Sequence, residues 1–476
     1  MNILAIGLIA LVLIWATNRG PTMTASTQAA STRSARVTVR RLYFYAVALV
    51  SFIASLAALA ILLRAIFSTW LGSQVTADAA YIRNTIAGSG GVLLVAVPIF
   101  LLHWRYAQAH ADEDERRSGM RKFFLYVASV VSVGYALYFG FELLQGLGAL
   151  ALGEPPAYVD ILPSNWLADL LIVACALALQ FYFHRILLHD GDYGTEQEGP
   201  ATLRRIYQTV AGLFGLGLVI FGVGGMVETL LRQLLEAAGR SVSQEWWRMA
   251  VSSGLAQTIL GVLLLRTNWQ RWRSLAEEHP AEAQAGLRRF YLYAAVVGGA
   301  LAVLVPAAML VNQALIQLFD PTALPYELWD VLATAIAFIP VGLGVWVWHW
   351  RYLGREAAAY GESSEGATVR RLYYYTVAAT GLALLWFGAV NLVQAVLDVL
   401  LSQGRVVAGS ARIWVYPLAN GLSLLAVGAP VWSYHWRAAE RVARRQDLTG
   451  QEERASGPRK VYLYGVALVG ALLILF

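Results

Sequence analysis

The sequence contains little charge and almost no cysteine. Of its 476 residues, 14% are charged and only Cys175 is a cysteine. An ordinary soluble domain carries about a quarter charged residues, so this composition argues against a soluble enzyme. A lone cysteine excludes an intrachain disulfide and any metal or iron–sulfur site that needs several cysteines. Because Cys175 lies in the apolar stretch LIVACALALQF, we expect it to pack as a small hydrophobic residue.

Motifs of common catalytic and nucleotide sites are also missing. The sequence has no HExxH, no CxxC and no nucleophile elbow, and its polar loops are too short to fold as catalytic domains. The glycine-rich stretch from Phe214 to Glu228 lacks the GK[ST] ending and the strand–helix context of a phosphate loop. Close helix packing through small residues explains this stretch better. We therefore expect no enzymatic activity and no bound cofactor.

Long apolar runs dominate the chain instead. Hydrophobic residues make up 58% of the sequence, and the mean hydropathy is +0.55. A helix of about 20 apolar residues crosses the roughly 30 Å hydrocarbon layer, so the runs predict a polytopic membrane protein. The net charge of +6 does not indicate nucleic acid, because the basic residues lie beside the apolar segments and form no patch. We expect the lipid bilayer as a partner, allow for other membrane-protein subunits, and expect no nucleic acid.

Two motifs recur along the chain with a period of roughly 80 to 90 residues. A basic–aromatic start opens one apolar stretch, and an aromatic–basic exit closes the next. The starts RRLYFY, RKFFLY, RRIYQT, RRFYLY, RRLYYY and RKVYLY begin at Arg40, Arg121, Arg204, Arg288, Arg370 and Arg459. The exits HWRY, FHR, NWQRW, HWRY and HWR begin at His103, Phe183, Asn268, His349 and His435. The pattern predicts an all-α, polytopic transmembrane bundle of tandem two-helix repeats, with about ten helices in five units.

These motifs also divide the chain into segments. The segment 1–36 combines a short hydrophobic anchor, Leu4 to Ala16, with a small, polar, flexible linker. The segment 457–476 is a partial sixth repeat, either a short terminal anchor or, slightly favoured, a truncated helix pair. The five complete repeats are 37–118, 119–200, 201–285, 286–367 and 368–456.

An even number of crossings per repeat places all starts and exits on one side of the membrane. Most Lys and Arg residues lie beside these motifs, which predicts that this side is cytoplasmic, in a bacterial inner membrane. Arginine stems can lie along apolar surface while the charges sit among lipid headgroups. An alternative is that the paired cations bind anionic lipid or a partner's phosphate. The predicted headgroup anchors are Arg40, Arg41, Arg121, Lys122, Arg204, Arg205, Arg288, Arg289, Arg370 and Arg371.

Polar residues also recur inside the apolar runs, 24 positions after each first arginine. These are Arg64, Gln145, Glu228, Asn312 and Gln394, and Glu142 and Asn391 lie three residues before two of them. One interpretation is that they form hydrogen bonds between helices near the outer interface. The other is a polar vestibule for a small solute, an ion or a proton, with Glu142 and Glu228 as its titratable members.

The histidines of the exit motifs allow two interpretations as well. Helix histidines can ligate haem, but His103, His349 and His435 belong to different repeats and each precedes a tryptophan. His184 occupies nearly the same place in the second repeat. Anchoring at the membrane interface is therefore the favoured interpretation.

With the start R-[RK]-x-[YF]-x-Y and the exit H-W-R, the chain resembles bacterial multi-pass membrane proteins known only as a domain of unknown function. The resemblance covers the five repeats and implies no catalytic or binding residue. The third repeat departs most, with Gln208 and Thr209 in place of aromatics and Asn268 in place of histidine. We expect a non-enzymatic scaffold or accessory subunit. The alternatives are a transporter or channel built from parallel repeats, and a lipid-, quinone- or pigment-binding subunit of an energy-transducing complex.

Overall fold

The computed structural model describes residues 25–71, 79–154, 163–196, 198–239, 246–320, 325–401 and 412–475. These residues are largely helical and include no β-strand. Within these ranges, ten helices are long and apolar enough to cross a membrane. The prediction of an all-α, polytopic bundle is confirmed, while the predicted anchor from Leu4 to Ala16 lies outside the described residues.

Each complete repeat contains two long helices, and short helices occur in every second linker. In chain order the helices are α1 (Ala25–Leu71), α2 (Ala79–Ala109), α3 (Glu113–Arg116), α4 (Gly119–Ala151), α5 (Pro163–His189), α6 (Glu198–Ala237), α7 (Trp247–Glu278), α8 (Pro280–Ala283), α9 (Gly286–Phe319), α10 (Pro325–Tyr360), α11 (Ser364–Leu401), α12 (Val415–Ala443), α13 (Leu448–Ala455) and α14 (Gly457–Leu475). The short helices α3, α8 and α13 lie at the ends of the first, third and fifth repeats, and α14 is the partial sixth repeat.

Helix α1 begins earlier than the sequence predicts. Residues 25–36 were expected in a flexible linker, but the helix starts at Ala25 and continues without interruption to Leu71. Alanine and arginine favour helix strongly, and neither glycine nor proline interrupts the sequence from Ala25 to Arg36. Since extending an existing helix costs far less than nucleating one, α1 continues outward from its apolar part.

The long helices pack in a regular order. The two helices of a repeat lie against each other, and the first helix also contacts both helices of the next repeat, as α1 contacts α4 and α5. The same relationship joins α4 to α6 and α7, α6 to α9 and α10, and α9 to α11 and α12. The first helices thus form a continuous row, and each second helix from α5 onward lies between two of them.

Paired glycines bring the two helices of a repeat close together. A Cβ atom built on Gly299 of α9 would lie 2.6 Å from the backbone nitrogen of Trp346 and 2.9 Å from the carbonyl oxygen of Gly342 on α10. Small residues permit this close backbone approach in membrane helices. Further pairs are Gly215 with Gly261, Gly222 with Gly254, Gly381 with Gly428, and Gly388 with Gly421. The helix-packing interpretation of the stretch from Phe214 to Glu228 is confirmed.

Candidate functional site

Half of the predicted headgroup anchors are buried inside the protein. The five residues are at most 2% exposed: Arg121, Lys122, Arg204, Arg288 and Arg289. A side chain with so little exposed surface has no room for a lipid headgroup. A charge removed from water also needs a partner of opposite sign or several hydrogen bonds. For these five residues the headgroup interpretation is therefore corrected, because carboxylates and carbonyl groups of the protein satisfy their charges.

In the second and fourth repeats, the first arginine pairs with an acid at the end of the second helix. Arg121 donates to both oxygens of Asp190, at 2.9 and 3.0 Å. Arg288 donates two hydrogen bonds, of 2.9 and 2.7 Å, to one oxygen of Glu356. Lys122 lies 2.5 Å from Asp192. These pairs tie the start of each repeat to its own exit, at the same end of the bundle.

In the first and fifth repeats, the acid lies on the short linker helix instead. Glu115 on α3 accepts a 2.6 Å hydrogen bond from Arg41 and a 2.9 Å bond from the Tyr45 hydroxyl. Glu453 on α13 accepts bonds of 2.9 Å from Arg371 and 2.8 Å from the Tyr375 hydroxyl. Both carboxylates are buried. The arginine–tyrosine pairing of the start motif therefore forms one side of a buried polar cluster.

The third repeat satisfies its linker acid with two arginines. Glu282 on α8 accepts hydrogen bonds of 2.9 and 3.1 Å from Arg204 and of 2.7 and 3.3 Å from Arg205. Arg204 also donates to Glu196 at 2.9 Å. Burial by itself would raise the pKa of Glu282, but the hydrogen bonds and charges of the two arginines outweigh it and lower the pKa. Thr209, which replaces the tyrosine here, donates to the carbonyl of Leu287.

The remaining predicted anchors are accessible to different degrees. Arg40 is exposed, whereas Arg41, Arg205, Arg370 and Arg371 are half-buried. The half-buried residues all pair with carboxylates; Arg370, for example, lies 3.0 Å from Glu362. Headgroup contact stays a prediction for these five residues.

The polar residues inside the first helices form hydrogen bonds and ion pairs with helices of the following repeat. Arg64 on α1 donates at 2.9 Å to Asp169 on α5, and it also pairs with Glu142 on α4. Asp169 is 1% exposed, and the Arg64 guanidinium also lies over the ring of Phe139, 4.8 Å from its centroid. One cation therefore joins the first helix of the first repeat to both helices of the second.

The same connection recurs in the next three repeats. In each case the residue 24 positions after the first arginine bonds to the second helix of the following repeat, 106 to 108 residues further along the chain. The pairs are Gln145 with Ser253 at 2.5 Å, Glu228 with Thr334 at 2.7 Å and Asn312 with Asn420 at 2.8 Å. Arg232 adds a 2.8 Å ion pair with Glu228 and a 3.3 Å pair with Asp330.

The fifth polar position differs from the other four. Gln394 is exposed on α11, and the described residues contain no second helix of a following repeat that could face it. Asn391, three residues earlier, donates to the carbonyl of Phe387 in its own helix at 2.8 Å. Within the described part of the chain, Gln394 therefore leaves a polar side chain on the surface of α11.

Two of the exit histidines, His349 and His435, bind tyrosines of the start motif in the same repeat. In His349 and His435, Nδ1 lies 2.8 and 2.7 Å from the carbonyl oxygen four residues earlier, so Nδ1 donates. The neutral ring then accepts at Nε2 from a tyrosine hydroxyl. The partners are Tyr291 at 3.4 Å and Tyr373 at 3.1 Å. These two histidines therefore hold the helix pair together, a role that the sequence does not predict.

Together, the tandem helix pairs, their shared basic end and the bonds between repeats define a multi-pass α-helical membrane protein built from internal repeats. The chain belongs to the family described as Domain of unknown function (DUF5671), whose model matches residues 41–179, 205–326 and 371–476. Among curated proteins and solved structures, none matches the chain significantly. The predicted membership of an uncharacterised repeat family is confirmed.

The family matches coincide with a longer structural period. They begin at Arg41, Arg205 and Arg371, the second arginines of the first, third and fifth repeats. These are also the repeats that end in a short linker helix with a buried glutamate. The repeating unit of the chain is therefore a pair of two-helix repeats. In the first repeat of each pair the buried acid lies on a short linker helix, and in the second repeat it lies at the end of the second long helix.

Proposed function

We propose that this protein is a non-enzymatic scaffold or accessory subunit of an assembly in a bacterial inner membrane. The observation that best supports the proposal is the pairing of intramembrane polar groups between successive repeats, from Arg64 with Asp169 to Asn312 with Asn420. A transport path uses polar groups that stay accessible to a solute. Here the polar side chains bond to each other between successive repeats and stabilise helix packing, as expected of a rigid scaffold.

We further propose that the basic end of the bundle faces the cytoplasm. Ion pairs such as Arg288 with Glu356 join starts and exits at one end. Basic residues in short loops are retained on the cytoplasmic side, whereas acids have little influence on orientation. The lipid bilayer then surrounds the ten long helices, and other membrane subunits bind laterally; nucleic acid has no part in the proposal.

The surface around Gln394 is the place where such a subunit would bind. In the four preceding repeats, the equivalent position bonds to an antiparallel helix that offers Asp, Ser, Thr or Asn. A partner helix with one of these side chains at the same depth would continue the row. An interhelical hydrogen bond of this kind contributes about 0.6 kcal/mol on average in a membrane.

Purification in a gentle detergent followed by mass spectrometry tests this proposal. We expect a stoichiometric membrane subunit to accompany the wild-type protein and to be recovered in lower yield with Gln394→Leu. Thr380→Val is the matched control, because Thr380 is also an exposed polar residue of α11 and, among the residues that the structure describes, donates to the carbonyl of Thr376 in its own helix alone. A protein that purifies alone in every form would contradict the scaffold role.

One observation favours the alternative of transport. Arg64 lies between two carboxylates, Glu142 and Asp169, and both Arg64 and Glu142 remain about one-third exposed. Ionisable groups within spans often mark proton or ion paths. The double variant Glu142→Gln/Glu228→Gln in liposomes distinguishes the two functions: a transporter would lose solute or proton uptake, whereas a scaffold would keep its subunit composition.

A further inference from the structure

The fifth exit carries arginines that the carboxylates of the protein do not neutralise. Arg437 and Arg441 lie one turn apart on one face of α12, and Arg444 is the residue that caps the end of this helix. Arg444 pairs with Glu440 at 3.1 Å. Within the described ranges, no carboxylate lies within ion-pair distance of Arg437 or Arg441, and both side chains are exposed. This exit therefore contrasts with the start motifs, whose cations are mostly paired.

An open cavity of about 670 Å³ follows the same face of the helix. Besides the arginines, its lining includes Pro430, Ser433, Tyr434 and Trp436. At 1.5 Å per residue, the distance from Pro430 to Arg444 is about 21 Å along the helix axis. All of its lining residues belong to this helix or its C-cap, so the cavity is a groove on the helix surface that leads from Pro430 towards the basic end.

The only acid in the lining is already neutralised. Glu440 pairs through one oxygen with Arg444 and through the other with Arg459, at 3.1 and 2.9 Å. The lining thus has a net positive charge concentrated at Arg437 and Arg441. Guanidinium groups form strong, charge-assisted hydrogen bonds with phosphate oxygens, and basic clusters next to a span are typical of anionic-lipid sites.

We propose that this cavity binds an anionic phospholipid, with its phosphate between Arg437 and Arg441 and an acyl chain along Tyr434 and Pro430. The ring of Tyr434, 52% accessible, is open to such a chain, and aromatic side chains are typical of the membrane interface. The proposal does not depend on the scaffold role, because lipid binding at α12 involves neither Gln394 nor a partner subunit.

The fourth exit offers a matched control. Arg351 and Arg355 have the same spacing as Arg437 and Arg441, are exposed, and have no carboxylate within ion-pair distance in the described part of the chain. Where the fifth exit has its third arginine, the fourth has Ala358. Removing either pair changes the net charge equally, so a difference between the two double variants reports the site and not the surface charge.

Native mass spectrometry with added phosphatidylglycerol tests the proposal. We expect wild type to bind one phosphatidylglycerol tightly, and Arg437→Gln/Arg441→Gln to bind it about thirtyfold more weakly, from the usual contribution of two basic residues near an anionic membrane. Arg351→Gln/Arg355→Gln should leave this lipid bound, and Arg437→Lys/Arg441→Lys, which keeps the charge, should retain most of the affinity. Phosphatidylcholine should not compete.

Three results would overturn the proposal. An equal loss of phosphatidylglycerol affinity in both glutamine double variants would show that the lipid is attracted to any basic surface of the protein. An unchanged phosphatidylglycerol affinity in Arg437→Gln/Arg441→Gln would show that these two arginines do not bind the lipid. Displacement of phosphatidylglycerol by millimolar inorganic phosphate would assign the cavity to a free phosphate group and not to a lipid. A helical circular-dichroism spectrum equal to wild type shows that each variant is folded.

Discussion

Arg204 lies with its guanidinium nitrogens 2.9 and 3.1 Å from the two carboxylate oxygens of Glu282, and both side chains are at most 4% exposed. Breaking such a buried pair by removing one partner costs about 3 kcal/mol or more, since the remaining charge stays out of water. We expect Glu282→Gln to lower the free energy of unfolding by about 3 kcal/mol, measured by denaturation of the purified protein.

A surface pair on the adjoining helix is the control for this prediction. Arg273 and Glu277 on α7 also form an ion pair, at 2.7 Å, but both side chains are more than half exposed. Exposed pairs contribute little because water and salt screen them. Glu277→Gln should leave the unfolding transition where it is. If Glu277→Gln were as destabilising as Glu282→Gln, burial would not be the cause.

The same glutamate predicts how stability depends on pH. Because the pKa of Glu282 is lower in the folded protein than its ordinary value, the unfolded chain takes up a proton first as the pH falls. The stabilising contribution is therefore complete above the ordinary pKa of about 4.3 and is lost as the pH falls through the lowered value. The stability difference between wild type and Glu282→Gln should shrink over this range. A difference that stays constant down to pH 3 would contradict this role.

The adjacent residues Gly298 and Gly299 provide a test of helix packing. A Cβ atom on Gly299 would meet the backbone of α10 at 2.6 Å, whereas one on Gly298 would meet nothing within 4 Å. Overpacking typically costs about 1 to 3 kcal/mol. We expect Gly299→Ala to destabilise the protein by that amount and Gly298→Ala to leave it unchanged or slightly more stable, as read from detergent unfolding curves.

The bond between Gln145 and Ser253 predicts a measurable coupling between the second and third repeats. A double-mutant cycle with Gln145→Ala and Ser253→Ala should give an interaction energy of about 0.5 to 1.7 kcal/mol, the range found for membrane hydrogen bonds. Gln145→Ala combined with Asn420→Ala should be additive, because Asn420 bonds instead to Asn312. Additivity in both cycles would mean that the row of polar pairs does not hold the repeats together.

The proposed orientation can be tested by cysteine labelling in a Cys175→Ser background. Gln451 on α13 is exposed at the basic end, and Ala238, just after α6, is exposed at the other end. A membrane-impermeant thiol reagent added to intact cells should modify Ala238→Cys and leave Gln451→Cys unmodified until the cells are opened. The reverse pattern would place the basic end outside.

The helices of this chain could be predicted from its sequence because their signal is local. An apolar run between Arg40 and His103, interrupted once, is enough to indicate two spans, and the same reasoning holds in every repeat. The basic–aromatic starts also recur at a regular spacing that the sequence shows directly. Their interpretation as headgroup anchors followed from their place beside an apolar run, since nothing nearby in the sequence reveals a partner.

The contacts of these residues could not be predicted because the partners are distant and vary in position. Asp190 and Glu356 each follow their exit motif by seven residues, which is a recognisable spacing. Glu115, Glu282 and Glu453, in contrast, lie at different distances after their exits, on short helices in linkers that resemble ordinary charged loops. Asp169 has no signal in the sequence for a further reason: it lies near the start of a helix, where an acid is common.

The alternation of the linkers restricts how this chain can be shortened. Excising 205–370 would join Arg204 to Arg371 and restore a start motif, with Glu196 still available to the first arginine and Glu453 to the second. Excising a single repeat, such as 122–204, would join Arg121 to Arg205 and remove both Asp190 and Glu196, so that Glu282 alone would remain for the two arginines. Deletions and duplications that leave a folded protein should therefore comprise two consecutive repeats, that is, four long helices at a time.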